Sequence, residues 1–129
     1  MTTTFLTLPQ AIRLGATMKP QHHDEDYFFK KTGLLGWFGP TCSCAMGAAI
    51  DACGLDAHRI SGERGWPTSW EPFLLTAAEC PACWIVEDGY GIATHLNDHH
   101  RWTREAIANW IEAVEQERAN TPILEAVTA

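Results

Sequence analysis

Cys80-Pro81-Ala82-Cys83 is followed, after eleven intervening residues, by His95 and then by the adjacent pair His99-His100. Thiolate sulfur and neutral imidazole are the donors that a tetrahedral zinc ion accepts, and two cysteines on one tight turn direct both sulfurs at a single cation. With His99 or His100 as the last donor, the spacing is C-x2-C-x11-H-x3-H or C-x2-C-x11-H-x4-H, one residue short of the usual finger spacer. Pro81 stiffens the turn, and backbone amides aimed at the sulfurs offset their charge. On an ideal helix His99 stands one turn beyond His95, whereas His100 reaches the same point only from a distorted helix end. Asn97 or Asp98 is placed to hold the second nitrogen of a ligand. The expected site is therefore a zinc knuckle of Cys80 and Cys83, closed by His95 and by His99 or His100.

Other chemistries compete for the same residues. Cys42 and Cys44 form a Cys-x-Cys pair that would complete a four-cysteine shell in place of the histidines, although Cys44 also suits a buried helical position. Alternatively, all five thiols are small core groups and the histidines are surface groups. A catalytic zinc keeps a position open and needs a nearby carboxylate as base, for which Glu79 and Glu87 are the candidates. A deaminase-type site requires His-x-Glu upstream of its Cys-x-x-Cys, and His58 and Glu63 have the wrong spacing. A redox Cys-x-x-Cys follows a strand and opens a helix. Here the motif is expected to follow a helix over 70–79, so a closed structural site is favoured.

The elements that must position these groups are mostly helical. Thr7 and Gln10 form a capping box with Pro9 in the first turn, opening a helix that ends near Met18. Residues 21–31, polar and rich in histidine and acid, read as an exposed loop, and the apolar run 34–38 between glycines reads as a short strand or turn. Thr41 or Ser43 caps a helix running to Cys53 and stopped by Gly54. It is apolar nearly all round, so it should be the central one, with Ala45, Ala48, Ala49 and Ala52 allowing close approach of neighbours. Residues 58–66 read as loop. Thr68 or Ser69 caps the helix over 70–79, and Trp84-Ile85-Val86 and Tyr90-Gly91-Ile92 flank Asp88-Gly89 as a β-hairpin. Finally, Thr103 caps a helix with Ile107, Trp110, Ile111 and Val114 as its apolar stripe, Trp102 as a staple on Ile107, and Glu112, Glu115 and Glu117 facing water. Residues 120–129 form a loosely ordered tail.

Composition bounds the rest. The 129 residues, 46% hydrophobic and 19% charged, suit one domain with a core of its own. Six tryptophans spread along the chain are expected to pack into that core. A net charge of −7 lacks the basic footprint that phosphate binding needs, so nucleic acid is disfavoured as a partner. No stretch approaches the roughly 18 apolar residues of a membrane span, and no export signal is visible. Five cysteines, an odd number, then read as reduced thiols in a cytoplasmic protein.

The string His95-Leu96-Asn97-Asp98-His99-His100-Arg101-Trp102-Thr103-Arg104-Glu105-Ala106-Ile107-Ala108 resembles the C-terminal signature of small uncharacterised proteins encoded by phages, prophages and bacteria. Ala11-Ile12-Arg13-Leu14-Gly15-Ala16 and Cys44-Ala45-Met46-Gly47-Ala48-Ala49 fit the same group. The resemblance implies a compact, mostly helical domain and a mobile-element origin, and it assigns no catalytic residue. Together these readings give a mainly α, single-domain fold over 1–129 with a small β-hairpin and a zinc knuckle. Its expected role is that of a non-enzymatic accessory protein that binds a protein partner. A small zinc-dependent hydrolase is the alternative, and a finger-like nucleic-acid binder stands behind it.

Overall fold

The computed structural model describes residues 6–21, 23, 28–30, 40–60 and 64–120, and among them the fold is mainly α. Helix α1 spans Leu8–Ala16 and starts as its capping box dictates. The Thr7 hydroxyl accepts from the Gln10 amide at 3.3 Å, and the Gln10 side chain accepts from the Thr7 amide at 3.0 Å. Helix α2, Ala45–Cys53, is buried from Ala45 to Ile50 and ends at Gly54, whose φ of 62° terminates it in the left-handed conformation. Its cap is Cys44, not Thr41 or Ser43: the sulfur accepts from the Gly47 amide at 3.3 Å. Ser43 is otherwise engaged, since its hydroxyl takes a hydrogen bond from Arg104 at 3.0 Å. Burial pushes the Cys44 thiol up to about 11, so it stays neutral.

Helices α1 and α2 lie in direct backbone contact. A Cβ placed on Gly15 would sit 1.7 Å from the carbonyl oxygen of Ala48. The small residues of α2 thus do what the sequence expects of them, letting a neighbour approach to the limit of the main chain. Strand β1, Phe28–Lys30, pairs antiparallel with β2, Pro40–Ser43, so part of the expected 21–31 loop is a strand. Two adjacent phenylalanines favour a pleated surface over a solvated loop. Gln21 also bridges to Ser43. The apolar run 34–38 and the tail beyond Asn120 lie outside the described residues, as do His22, 24–27 and 61–63.

The largest departure from expectation concerns residues 68–98. A 3-10 turn, Thr68–Trp70, leads into a short α3, Glu71–Leu74, after which the chain extends as β3, Ala77–Glu79. The expected helix over 70–79 is cut short because its carbonyls find other partners. Arg118 donates to the carbonyls of Pro72, Thr76 and Ala77 at 3.3, 3.4 and 2.9 Å, and the Gly89 amide donates to Thr76 at 3.0 Å. Strand β4, Val86–Asp88, pairs antiparallel with β3, so Cys80-Pro81-Ala82-Cys83 forms the hairpin turn. The hairpin expected around Asp88-Gly89 is therefore one element early. Asp88 instead caps α4, Gly89–Asp98, accepting from the Gly91 amide at 2.7 Å.

Helix α5, Arg104–Asn120, is capped by Thr103, whose hydroxyl accepts from the Ala106 amide at 3.1 Å. It buries Ile107, Ala108 and Ile111. Arg13 ties α1 to its outer face through Glu105 at 3.2 Å and Glu112 at 2.9 Å. Glu115, expected in water, is partly buried, and burial raises its pKa. Trp66 and Trp70 lie in the core with their rings tilted at 35° and 6.0 Å apart, while Phe73 meets Trp110 edge-on at 5.5 Å. Trp84 departs from the packing expectation and is 71% exposed. No helix among the described residues is long and apolar enough to cross a membrane.

Gly15→Ala drives a methyl group into a main-chain carbonyl that has no freedom to move. It should cost about 3 kcal/mol in chemical denaturation; a loss within experimental error would show that α1 and α2 are less tightly apposed.

Candidate metal centre

The junction between hairpin and helix sets the site. Because Asp88 both ends β4 and caps α4, no loop separates them, and Gly89 sits where a Cβ would lie 2.0 Å from the Phe73 carbonyl oxygen. The chain therefore doubles back in a fixed register. From Asp88, β4 runs back to Val86, and the chain turns through Trp84 into Cys83. Along α4 the distance from Asp88 to His95 is roughly 10 Å, and His100 follows just past the helix end.

Within that turn the Ala82 amide donates to the Cys80 sulfur at 3.4 Å, and the Cys80 amide donates to the Ile85 carbonyl at 2.8 Å. Cys80 is fully buried and Cys83 partly so. At the far side, α4 does not stop cleanly. The carbonyl of His95 accepts from both the His99 amide, at 2.9 Å, and the His100 amide, at 3.3 Å. That widened last turn swings His100 edge-on to His95, with ring centroids 4.6 Å apart and planes at 84°. His99 continues the regular helix and stacks on the outside of His95 at 4.9 Å and 15°.

The result brings Cys80, Cys83, His95 and His100 together, with one donor atom from each lying within 4.8 Å of all the others. It is the one such group among the described residues, and it includes neither His99 nor Cys42 nor Cys44. The Cys83 sulfur lies 3.3 Å from His95 Nε2. A tetrahedral zinc, with bonds of about 2.3 Å to sulfur and about 2.0 Å to nitrogen, sets its donors roughly 3.3–3.8 Å apart. The four groups are within a small adjustment of that figure. The Nε2 of His100 is buried and has no hydrogen-bond partner. A buried imidazole nitrogen left unpaired is costly, and a cation among the donors would satisfy it. Burial, then the neighbouring His100 and His99, hold the pKa of His95 below its ordinary 6.5 against an opposing pull from Glu87, leaving the ring neutral and its lone pair available at pH 7.

The backbone is strained at the same two places. Among the described residues, only Trp84 and Arg101 hold positive φ without being glycine, at 66° and 55°. They directly follow Cys83 and His100, the last donors of the turn and of the helix. Such conformations persist where surrounding structure enforces them, and they gather at functional sites.

Asn97 has a second task besides any contact to a ligand histidine. Its side-chain oxygen accepts from Gln21 at 2.8 Å and from the Ala45 amide at 3.1 Å, and its amide group donates to Asp98 at 2.7 Å. It fastens α4 to the start of α2. Sequence reasoning also missed Arg104, a buried guanidinium that donates to Ser43 and, at 3.3 Å, to the Ala16 carbonyl. Nothing in its neighbours' spacing marks it. Glu87 lines a cleft of ≈ 330 Å³ with Tyr90, Thr94, His95, Asp98 and His99, whereas Glu79 lines a separate cavity against α5. The Cys-x-x-Cys follows strand β3, not a helix, but a turn and β4 come after it, so it does not open a helix as a redox motif would.

No family model matches the chain, and no curated protein or solved structure matches it either.

Trp84 occupies a backbone conformation that glycine adopts freely, and its side chain buries little. Trp84→Gly should therefore raise unfolding free energy by about 1 kcal/mol. A clear loss of stability would show that the indole packs on something essential.

Proposed function

We propose that this chain is a zinc-stabilised accessory protein that acts by binding another protein and not by turning over a substrate. The observation that carries the reading is the cluster of Cys80, Cys83, His95 and His100, with donor atoms within 4.8 Å of one another and a buried, unpartnered Nε2 on His100. Two thiolates and two neutral imidazoles match the charge and the softness of zinc, and together with it form a neutral unit inside a chain of net charge −7. Four protein donors fill a tetrahedral shell, so no position remains for a water or a substrate. A closed site of this kind serves architecture, and zinc bound there contributes roughly 10 kcal/mol or more to folding. Reduced thiols fit a cytoplasmic setting, and the C-terminal signature supports a phage or mobile-element origin.

A hydrolase remains the second reading, favoured by the cleft that places Glu87 beside His95. It requires one of the four donors to yield its position to water. The −7 charge weighs against finger-like binding of nucleic acid.

Protein purified without chelator should carry a single zinc ion per chain by elemental analysis. Cys80→Ser and His100→Ala should lose most of it, His99→Ala should keep it, and chelation should loosen 81–100 before α5. Full metal content in His100→Ala, or none in the unaltered protein, would contradict the reading.

A further inference from the structure

Trp84 is unfavourable to the isolated fold twice over: its backbone is held at φ 66°, and its indole is 71% exposed. Glycine would suit the position on both counts. Val86, 65% exposed, adds a second apolar side chain at this edge, whereas Ile85 alternates to the other face, opposite the buried Cys80.

The backbone beside these side chains is also open. In the β3–β4 ladder, Ala78 stands opposite Glu87, and the flanking bonds run from Gly89 to Thr76 and from Cys80 to Ile85. Antiparallel alternation then turns the N–H and C=O of Val86 outward, away from β3. The outer edge of β3 is covered, because the Ala77 carbonyl there accepts from Arg118 at 2.9 Å. No hydrogen bond from another described residue reaches the outward groups of Val86. Proteins ordinarily cover or blunt such an edge. Here the one that is left open carries the exposed tryptophan.

Charge selects the occupant. Glu87, on β4 itself and next to Val86, is exposed at this edge. No lysine or arginine occurs between Arg64 and Arg101. A second copy laid along β4 would set Glu87 against its own counterpart, and a nucleic acid would meet the same carboxylate in a chain of net charge −7. A peptide that brings basic residues meets neither penalty.

We propose that the outer edge of β4 is the docking surface for an extended segment of a protein partner that alternates apolar and basic residues. The segment adds a third strand through the outward groups of Val86, rests its apolar side chains on Val86 and the neighbouring Trp84, and sets its cations on the opposite face, against Glu87. The inference rests on the reading of the chain as a metal-stabilised binding protein, and it gives that reading's partner a chemistry.

The test uses the full zinc-loaded chain and a short synthetic peptide of alternating valine and lysine, with binding read by fluorescence polarisation at about 150 mM salt. The expected result is saturable binding that weakens about tenfold or more in Trp84→Gly, and likewise in Val86→Pro, which removes the outward N–H. The same loss is expected for an N-methylated peptide and for a valine–glutamate peptide. Equal binding to Trp84→Gly, or equal binding of the N-methylated peptide, would reduce the contact to diffuse charge attraction and overturn the proposal. Dimerisation of the chain that excludes the peptide would overturn it in favour of a second copy. Zinc content and thermal midpoint, measured on the same samples, separate the two ideas. A metal-loaded, folded chain that ignores the peptide defeats the docking surface alone, whereas a metal-free chain that binds it defeats the zinc reading alone.

Discussion

Two sulfurs and two imidazole nitrogens aimed at one point need protons or a cation between them, and the rest of this structure is arranged so that they cannot turn away. Cys80 is held by the ladder bond to Ile85, and Cys83 by the tight turn. His95 sits in mid-helix, and His100 is drawn in by a helix end that spends one carbonyl on two amides. Protons would satisfy the thiols, yet the buried nitrogen of His100 has no donor to accept from. A divalent metal would satisfy all four at once.

The convergence depends on covalent economy between hairpin and helix. Asp88 closes a strand and caps a helix with one side chain, and Gly89 lets that corner press against α3. Beyond the corner, α4 is locked to α2 by Asn97 and to the core by Ile92 and Leu96, both fully buried. The donors on α4 thus inherit the rigidity of the core. Cys80 is buried as well, but the hairpin beyond Cys83 has little packing of its own, as the exposure of Trp84, Ile85 and Val86 shows. A cation at the centre would bind the less supported half of the site to the better supported one.

How much of this was legible beforehand follows from how local each signal is. The capping box at Thr7 and Gln10, the stop at Gly54 and the stripe of α5 are written within a few residues, and they read correctly. The donor types and their spacing were equally plain. The position of the hairpin was not. Leu75 to Cys80 has the alanines and glutamate of a helix, and only Arg118, forty residues away in sequence, and Gly89 draw its carbonyls into another pattern. Asp-Gly is both a turn signal and a helix start, and tertiary packing chose the second. The choice between His99 and His100 turns on a widened helical turn and a positive φ at Arg101, neither of which has a sequence signature. Arg104 was invisible for the same reason, since its partners Ser43 and Ala16 are distant along the chain.

The most direct measurement is X-ray absorption at the zinc edge of the purified, unreduced protein. The account predicts a four-coordinate ion with two sulfurs at about 2.3 Å and two nitrogens at about 2.0 Å. A shell of oxygen and nitrogen alone, a shell of four sulfurs, or a fifth, solvent-derived ligand would contradict it.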